Sequence, residues 1–220
     1  QGGRRREHPE HRRRTMDRAH RRIPGLRRRD GARGQSLVEF SLVLIPLLLI
    51  LLGIIQMGLV FNAQVTITNA AREGARAATI YSYSLAGLQS GPPACNTTTR
   101  ATNDACRNAY ALYFAQQAFG SLSSTSPQFV TTGTWTQSGF DPTTTCASGA
   151  TCTTTYTNGD IVVTYTVPAN ITDSDPRTGE QVTVQITYHQ DLFVPLISTF
   201  LPHDSNGRLA QGATVTMVIN

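Results

Sequence analysis

The sequence predicts an α+β protein: a long N-terminal transmembrane and stalk helix, then a small head with a mainly antiparallel sheet and one or two packed helices. Three observations predict it. Phe40–Phe61 is an uncharged, almost wholly apolar run. An alanine-rich segment prolongs that run with helical spacing toward Ile80. The C-terminal half alternates Thr with Val, Ile and Tyr, the period-two pattern of half-buried strands.

Charge divides the chain before any element is assigned. Residues 1–33 hold thirteen Arg against four acids (Glu7, Glu10, Asp17 and Asp30), a net of +9. The remainder holds six Arg against ten acids, a net of −4, and the two recover the formal +5. Like charges with little to bury predict disorder over 1–33. A basic stretch also suits nucleic acid. Here no aromatic interleaves the arginines and no recognition-helix pattern follows, so nucleic acid is not an expected partner. Positive residues abutting an apolar run instead read as the cytoplasmic flank of a membrane span. The sequence opens on Gln1, with Met16 as an alternative start.

Phe40–Phe61 is 22 residues. As a helix it would reach ~33 Å, against a hydrocarbon core of ~30 Å. Pro46 inside it predicts a kink of a kind that membranes tolerate. A buried helix of a soluble core fits poorly, because the Thr-rich remainder could not surround it. A cleaved secretory signal also fits poorly, because the run is too long and "FNAQ" around Ala63 is a weak cleavage site. The expectation is a single-pass anchor in the inner (cytoplasmic) membrane, N-terminus cytoplasmic and C-terminus extracytoplasmic, with the lipid bilayer as its first partner.

The helix is expected from about Ser36 to about Ile80. Past Phe61, Val65, Thr68 or Asn69, Arg72 and Arg76 recur at helical intervals on a polar side. Ala63, Ala70, Ala71, Gly74, Ala75, Ala77 and Ala78 make a surface that allows close approach. Gly74 costs ~1 kcal/mol against Ala in a helix, so it marks a tight contact. Residues 81–103, with paired prolines and short polar residues, read as loop. Asp104–Phe119 reads as a second helix with an apolar stripe of Cys106, Ala109, Tyr110, Tyr113, Phe114 and Ala118, stopped by Gly120. Strands are expected at 127–135, 151–157, 160–167, 180–188 and 212–219. Val182, Val184, Ile186 and Tyr188 would share one face, as would Val215, Met217 and Ile219. "DLFVPLISTFLP" (191–202) reads as a short amphipathic helix or a hydrophobic loop covering the sheet.

All four cysteines (Cys95, Cys106, Cys146 and Cys152) lie beyond the apolar run, where an oxidising compartment would let them pair. Three connectivities are open. Nearness in sequence suggests Cys95–Cys106 and Cys146–Cys152. Metal-ligand spacing is missing, so neither a metal nor any other cofactor is expected. No hydrolase, P-loop or zincin motif occurs, and the chain is not read as an enzyme. "DSDPRTGE" (173–180) reads as a turn between strands rather than a calcium loop. His189 and His203 read as surface residues at element ends.

The segment "RGQSLVEFSLVLIPLLLILLGIIQMGLVFNAQVTITNAAREGARAA" resembles the N-terminal domain of TadE-like proteins (the TadE/TadF/TadG type), pilin-like components of the tight-adherence (Flp) pilus system. The signal is composite: "GQSLVEF", an apolar run opening "LVLIP", then "FNAQ…TNAAREGAR". The resemblance implies cutting by an aspartic prepilin peptidase between Gly34 and Gln35. Glu39 would then be the fifth residue of the mature chain, followed by Phe40. It implies a pseudopilin-like role in pilus assembly or secretion, with other Flp/Tad components as partners. On this reading 1–34 is a leader, 35–80 the transmembrane and stalk helix, and 81–220 the extracytoplasmic head. The rival reading is an unprocessed, membrane-anchored binding or scaffold module. Glu39 separates the two. In a plain anchor it is an acid at the headgroup edge, favoured by the helix dipole. In a processed chain its charge would be met by the new terminal amine of a neighbouring subunit, because an unpaired carboxylate is costly in low dielectric.

Overall fold

The computed structural model describes residues 31–80, 99–174, 177–193 and 201–220. The chain divides into two units, 1–46 and 47–220. The described residues of the first are the opening turns of helix α1 (Gly31–Ala78), which contains Pro46. Their apolar side chains are exposed, Leu44 alone being half-buried from Gly34 to Pro46. Of the disorder expected over 1–33, residues 1–30 lie outside the described residues and 31–33 are the first turn of α1; residues 81–98 of the expected loop and 194–200 of the expected cover segment (191–202) also lie outside them.

The second unit holds the rest of α1, helix α2 (Arg100–Ala118) and strands β1 (Thr136–Gly139), β2 (Cys152–Asn158), β3 (Ile161–Val167), β4 (Gln181–Asp191) and β5 (Arg208–Val218). The strands form one antiparallel meander in the order β1-β2-β3-β4-β5. Alternation along them decides the layers. Tyr156, Ile161, Val163, Tyr165, Val182, Val184, Ile186, Tyr188 and Ala213 point into one core with Ala63, Ile67, Ala70, Ala71, Ala75 and Ala78 of α1 and Ala111 and Ala115 of α2. Val215 and Met217 pack at its margin. The face shared by Val182–Tyr188 and the one shared by Val215–Ile219 are therefore as the alternation requires.

The opposite sheet face is threonine. Thr155 pairs Thr164, Thr164 pairs Thr183 and Thr183 pairs Thr216 across neighbouring strands. Hydroxyls meet at 3.3 Å between Thr155 and Thr164 and at 2.8 Å between Thr183 and Thr216. Thr supplies a β-branched stem that suits a pleated surface and a hydroxyl that tolerates water.

Gly74 explains how two helices share one face. A Cβ there would stand 3.1 Å from the Ala111 carbonyl oxygen, 3.4 Å from the Ala115 Cβ and 3.5 Å from the Val184 Cγ1. The small residues of α1 are its buried face, and Val65, Asn69, Arg72 and Arg76 are its exposed one.

Three expectations need correction. Residues 127–135 form no strand, and the edge strand is Thr136–Gly139. The segment's polar groups are engaged elsewhere: the Asp160 amide donates to the Val130 carbonyl (2.8 Å), the Asp160 carboxylate accepts from the Val130 amide (2.6 Å), and the His189 amide donates to the Gln128 carbonyl (2.8 Å). Phe129 is pulled inward against Phe119, 4.9 Å between ring centroids. Second, α2 starts at Arg100, so residues 100–103 are helix and not loop. Third, its buried face is the apolar stripe only in part, since Cys106 and Tyr110 share it with polar and charged residues. Asn103, Asp104, Arg107 and Asn108 are buried with Cys106 and Tyr110, while Ala109, Tyr113, Phe114 and Ala118 are half-buried.

Candidate functional site

Gly34, Gln35, Glu39 and Phe40 lie together on the first turns of α1, all exposed. Helical spacing puts Gln35 and Glu39 one turn apart, and the Gln35 side-chain amide donates to Glu39 Oε1 at 3.1 Å. A Cβ at Gly34 would meet nothing within 4 Å. Among the described residues, packing gives no reason for glycine there.

Farther along α1 the apolar window is 0% buried and has a mean hydropathy of 2.8, and α1 is long and apolar enough to cross a membrane. A core helix of a soluble protein would be mostly covered, and this window is not. One residue of the run breaks the pattern. Gln56 is 1% exposed. Its Oε1 accepts from the Phe193 amide at 2.9 Å, and its Nε2 donates to the Asp191 carbonyl at 3.4 Å. The side-chain amide thus stands in for a peptide group beside the last residue of β4. From the sequence alone Gln56 is only a polar residue within the apolar run. The available signal was an amide side chain, able to both donate and accept, inside an otherwise apolar run.

The end of the sheet beside Gln56 is polar. Asp191 accepts from Gln128 Nε2 (2.7 Å) and Arg208 Nε (2.8 Å). His189 lies 3.3 Å from both Asp160 and Asp204. The Gln128 hydrogen bond first, and the Arg208 contact after it, hold the Asp191 carboxyl below its usual range.

The other end of the head holds a buried ion network. Arg177 donates from Nε to Asp104 Oδ1 (2.9 Å), from Nη2 to Asp104 Oδ2 (2.7 Å) and from Nη1 to Glu180 Oε2 (2.7 Å). Its guanidinium carbon lies 4.7 Å from the Tyr165 ring centroid. The Tyr156 hydroxyl donates to Asp104 and the Tyr165 hydroxyl to Asn108, each at 3.0 Å. Arg177 has φ 68°, a left-handed conformation uncommon outside glycine, held here by the network. Burial opposes the Arg177 charge, yet the Asp104 and Glu180 carboxylates outweigh it and keep the group more basic than usual. Burial pushes Glu180 up against the pull of Arg177, and burial with the Asp104 charge pushes the Tyr156 phenol up. Arg177 and Asp173 are thus tied to Asp104 and Arg100 of α2. The segment read as a turn, 173–180, indeed joins β3 to β4. Of its three acids, Asp173 and Glu180 are taken by Arg100 (2.8 Å) and Arg177, and Asp175 lies outside the described residues.

Cys146 and Cys152 are bonded to each other. Cys106 is also in a disulfide, and its expected partner Cys95 lies outside the described residues. Among the described residues no group of three or more His, Cys, Asp or Glu could hold a metal ion.

Residues 34–76 match the family model for a TadE-like protein. The matched stretch is less than half of the chain, and it is the TadE-like segment from here on. It begins at Gly34 and ends at Arg76, two residues before α1 stops. No curated protein and no solved structure matches. The chain therefore joins a TadE-like, apolar helix to a small α+β head, an arrangement that suits a membrane-anchored accessory or structural role.

Proposed function

We propose that this chain is a pseudopilin-like structural component of tight-adherence (Flp) pilus assembly or its associated secretion machinery. Its N-terminus lies in the cytoplasm and its head outside. The observation that carries the reading is the extent of the TadE-like segment, which starts at Gly34 and takes in Glu39 and the uncovered apolar helix. A prepilin peptidase of the aspartic type cuts between Gly34 and Gln35 and discards the arginine-rich leader. The apolar helix stays in the bilayer, oriented by those arginines before they are removed. Glu39 then meets the new amine of a neighbouring subunit and sets axial register.

Mass spectrometry of the N-terminus from membrane fractions tests the reading. A mature chain beginning at Gln35 supports it. A chain that keeps the residues before Gly34, in cells with an active prepilin peptidase, returns the protein to the unprocessed anchored module. Gly34→Leu should block the cut. Because a side chain at Gly34 meets nothing, loss of cutting in that variant reports recognition and not misfolding.

A further inference from the structure

Gln56 fixes the head at a definite depth on α1. Its two hydrogen bonds hold Asp191 and Phe193 level with a residue five positions inside the C-terminal end of the apolar run, ~7.5 Å by helical rise. Asp191, Arg208, His189, Asp160 and Asp204 cluster at this same end of the sheet. Paired but half-exposed charges do not enter hydrocarbon. The outer hydrocarbon boundary therefore cannot lie at Phe61 with the head docked as it is. It must lie near Gln56, and the five residues Met57–Phe61 then occupy the headgroup layer, which is ~5–7 Å thick on each side. Phe40–Gln56 is 17 residues, at the short end of the ~17–25 that span a bilayer.

Beside Gln56, β4 is followed by Leu192, half-buried, and Phe193, 70% exposed. Phe61 and Met57 are exposed on α1 as well. A large aromatic left bare beside a charged cluster is unfavourable in water and well placed at an interface, where an apolar body can sit among headgroups. We propose that Phe193 inserts into the headgroup layer as a second membrane contact of the head, and that the outer hydrocarbon boundary falls near Gln56. The partner is the lipid surface itself. This rests on α1 spanning the bilayer, as proposed above.

The test uses the full chain in phosphatidylcholine liposomes, with one added cysteine at a time carrying an environment-sensitive fluorophore. Ile50→Cys reports the span, Phe193→Cys the proposed contact, and Ser148→Cys the opposite end of the head, where it is exposed. Lipids with a spin label near the headgroup or at the chain terminus quench by depth. The Ile50 label should lose most fluorescence to the deep quencher, the Phe193 label most to the shallow one, and the Ser148 label none to either. A Phe193 label as unquenched as Ser148, with Ile50 still quenched, overturns the inference and leaves the anchor standing. A Phe193 label quenched most by the deep lipid overturns the placement of the boundary at Gln56. An unquenched Ile50 label removes the anchor reading, and this inference with it.

Discussion

Replacing Arg177 with Met probes the head most sharply. The Met side chain fills much of the space but carries no charge. Three short hydrogen bonds and the contact with the Tyr165 face are lost, and Asp104 and Glu180 remain buried with no cation between them. Removing one member of a buried ion pair costs about 3–5 kcal/mol. A domain has only about 5–15 kcal/mol in total. The folded-to-unfolded ratio should therefore fall by roughly two to three and a half orders of magnitude, at 1.4 kcal/mol per tenfold. Denaturant unfolding of the full chain in detergent micelles measures it, followed by the fluorescence of Trp135, the single tryptophan, which packs at the core margin. The midpoint should drop with the slope unchanged. The triple variant Asp104→Asn, Arg177→Met, Glu180→Gln should recover much of the loss, because neither of the two stranded carboxylates remains. The loss also depends on pH. Burial raises Glu180 above its ordinary 4.5, and Arg177 is the main opposing influence. Without Arg177 the folded pKa rises further. A carboxyl raised on folding adds stability below its unfolded pKa and loses it as pH rises through the folded value. The deficit of Arg177→Met should thus be smaller near pH 4.5 and grow toward neutrality. An unfolding free energy within about 0.5 kcal/mol of the parent at neutral pH, the range of an ordinary surface change, refutes the reasoning.

Three further outcomes are expected. Gly74→Leu should overpack the α1–α2–β4 junction and lower stability by about 1–3 kcal/mol, read as a fall in thermal midpoint. Cys146→Ser with Cys152→Ser opens a short loop, sequence separation 6. It should cost about 2 kcal/mol by loop-closure entropy, measured as the difference between the two proteins under oxidising conditions. Gln56→Leu strands the Phe193 amide and Asp191 carbonyl, so it should cost about 1–3 kcal/mol and speed hydrogen exchange at the Phe193 amide while the β2–β3 amides keep their protection.

The sequence was legible wherever a residue's fate follows from its own chemistry and its neighbours in the chain. The apolar run, its long helix, the small-residue face of α1 and the alternating strands β3 to β5 are local patterns, and each appears at nearly the expected bounds. The composite motif around Gly34 and Glu39 lies within the TadE-like segment. Reading failed where distant segments compete for the same polar groups. Residues 127–135 have strand-like composition, but the β2–β3 turn claims their hydrogen bonds. The α2 stripe looked apolar at helical spacing, yet the inward face carries Asp104, Asn103, Arg107 and Asn108.

That last difference has a physical reason. Burying Asp104 is unfavourable by itself and becomes favourable only once Arg177, more than seventy residues away, arrives in a left-handed turn to meet it. Gln56 is the same case in the apolar helix, a polar residue whose partners are backbone groups at the far end of β4. Local sequence determined the helix, the strand faces and the composite motif, because periodicity and chain neighbours suffice for those. Tertiary structure decided which buried polar groups are satisfied, and with them how far along the apolar helix the head is docked.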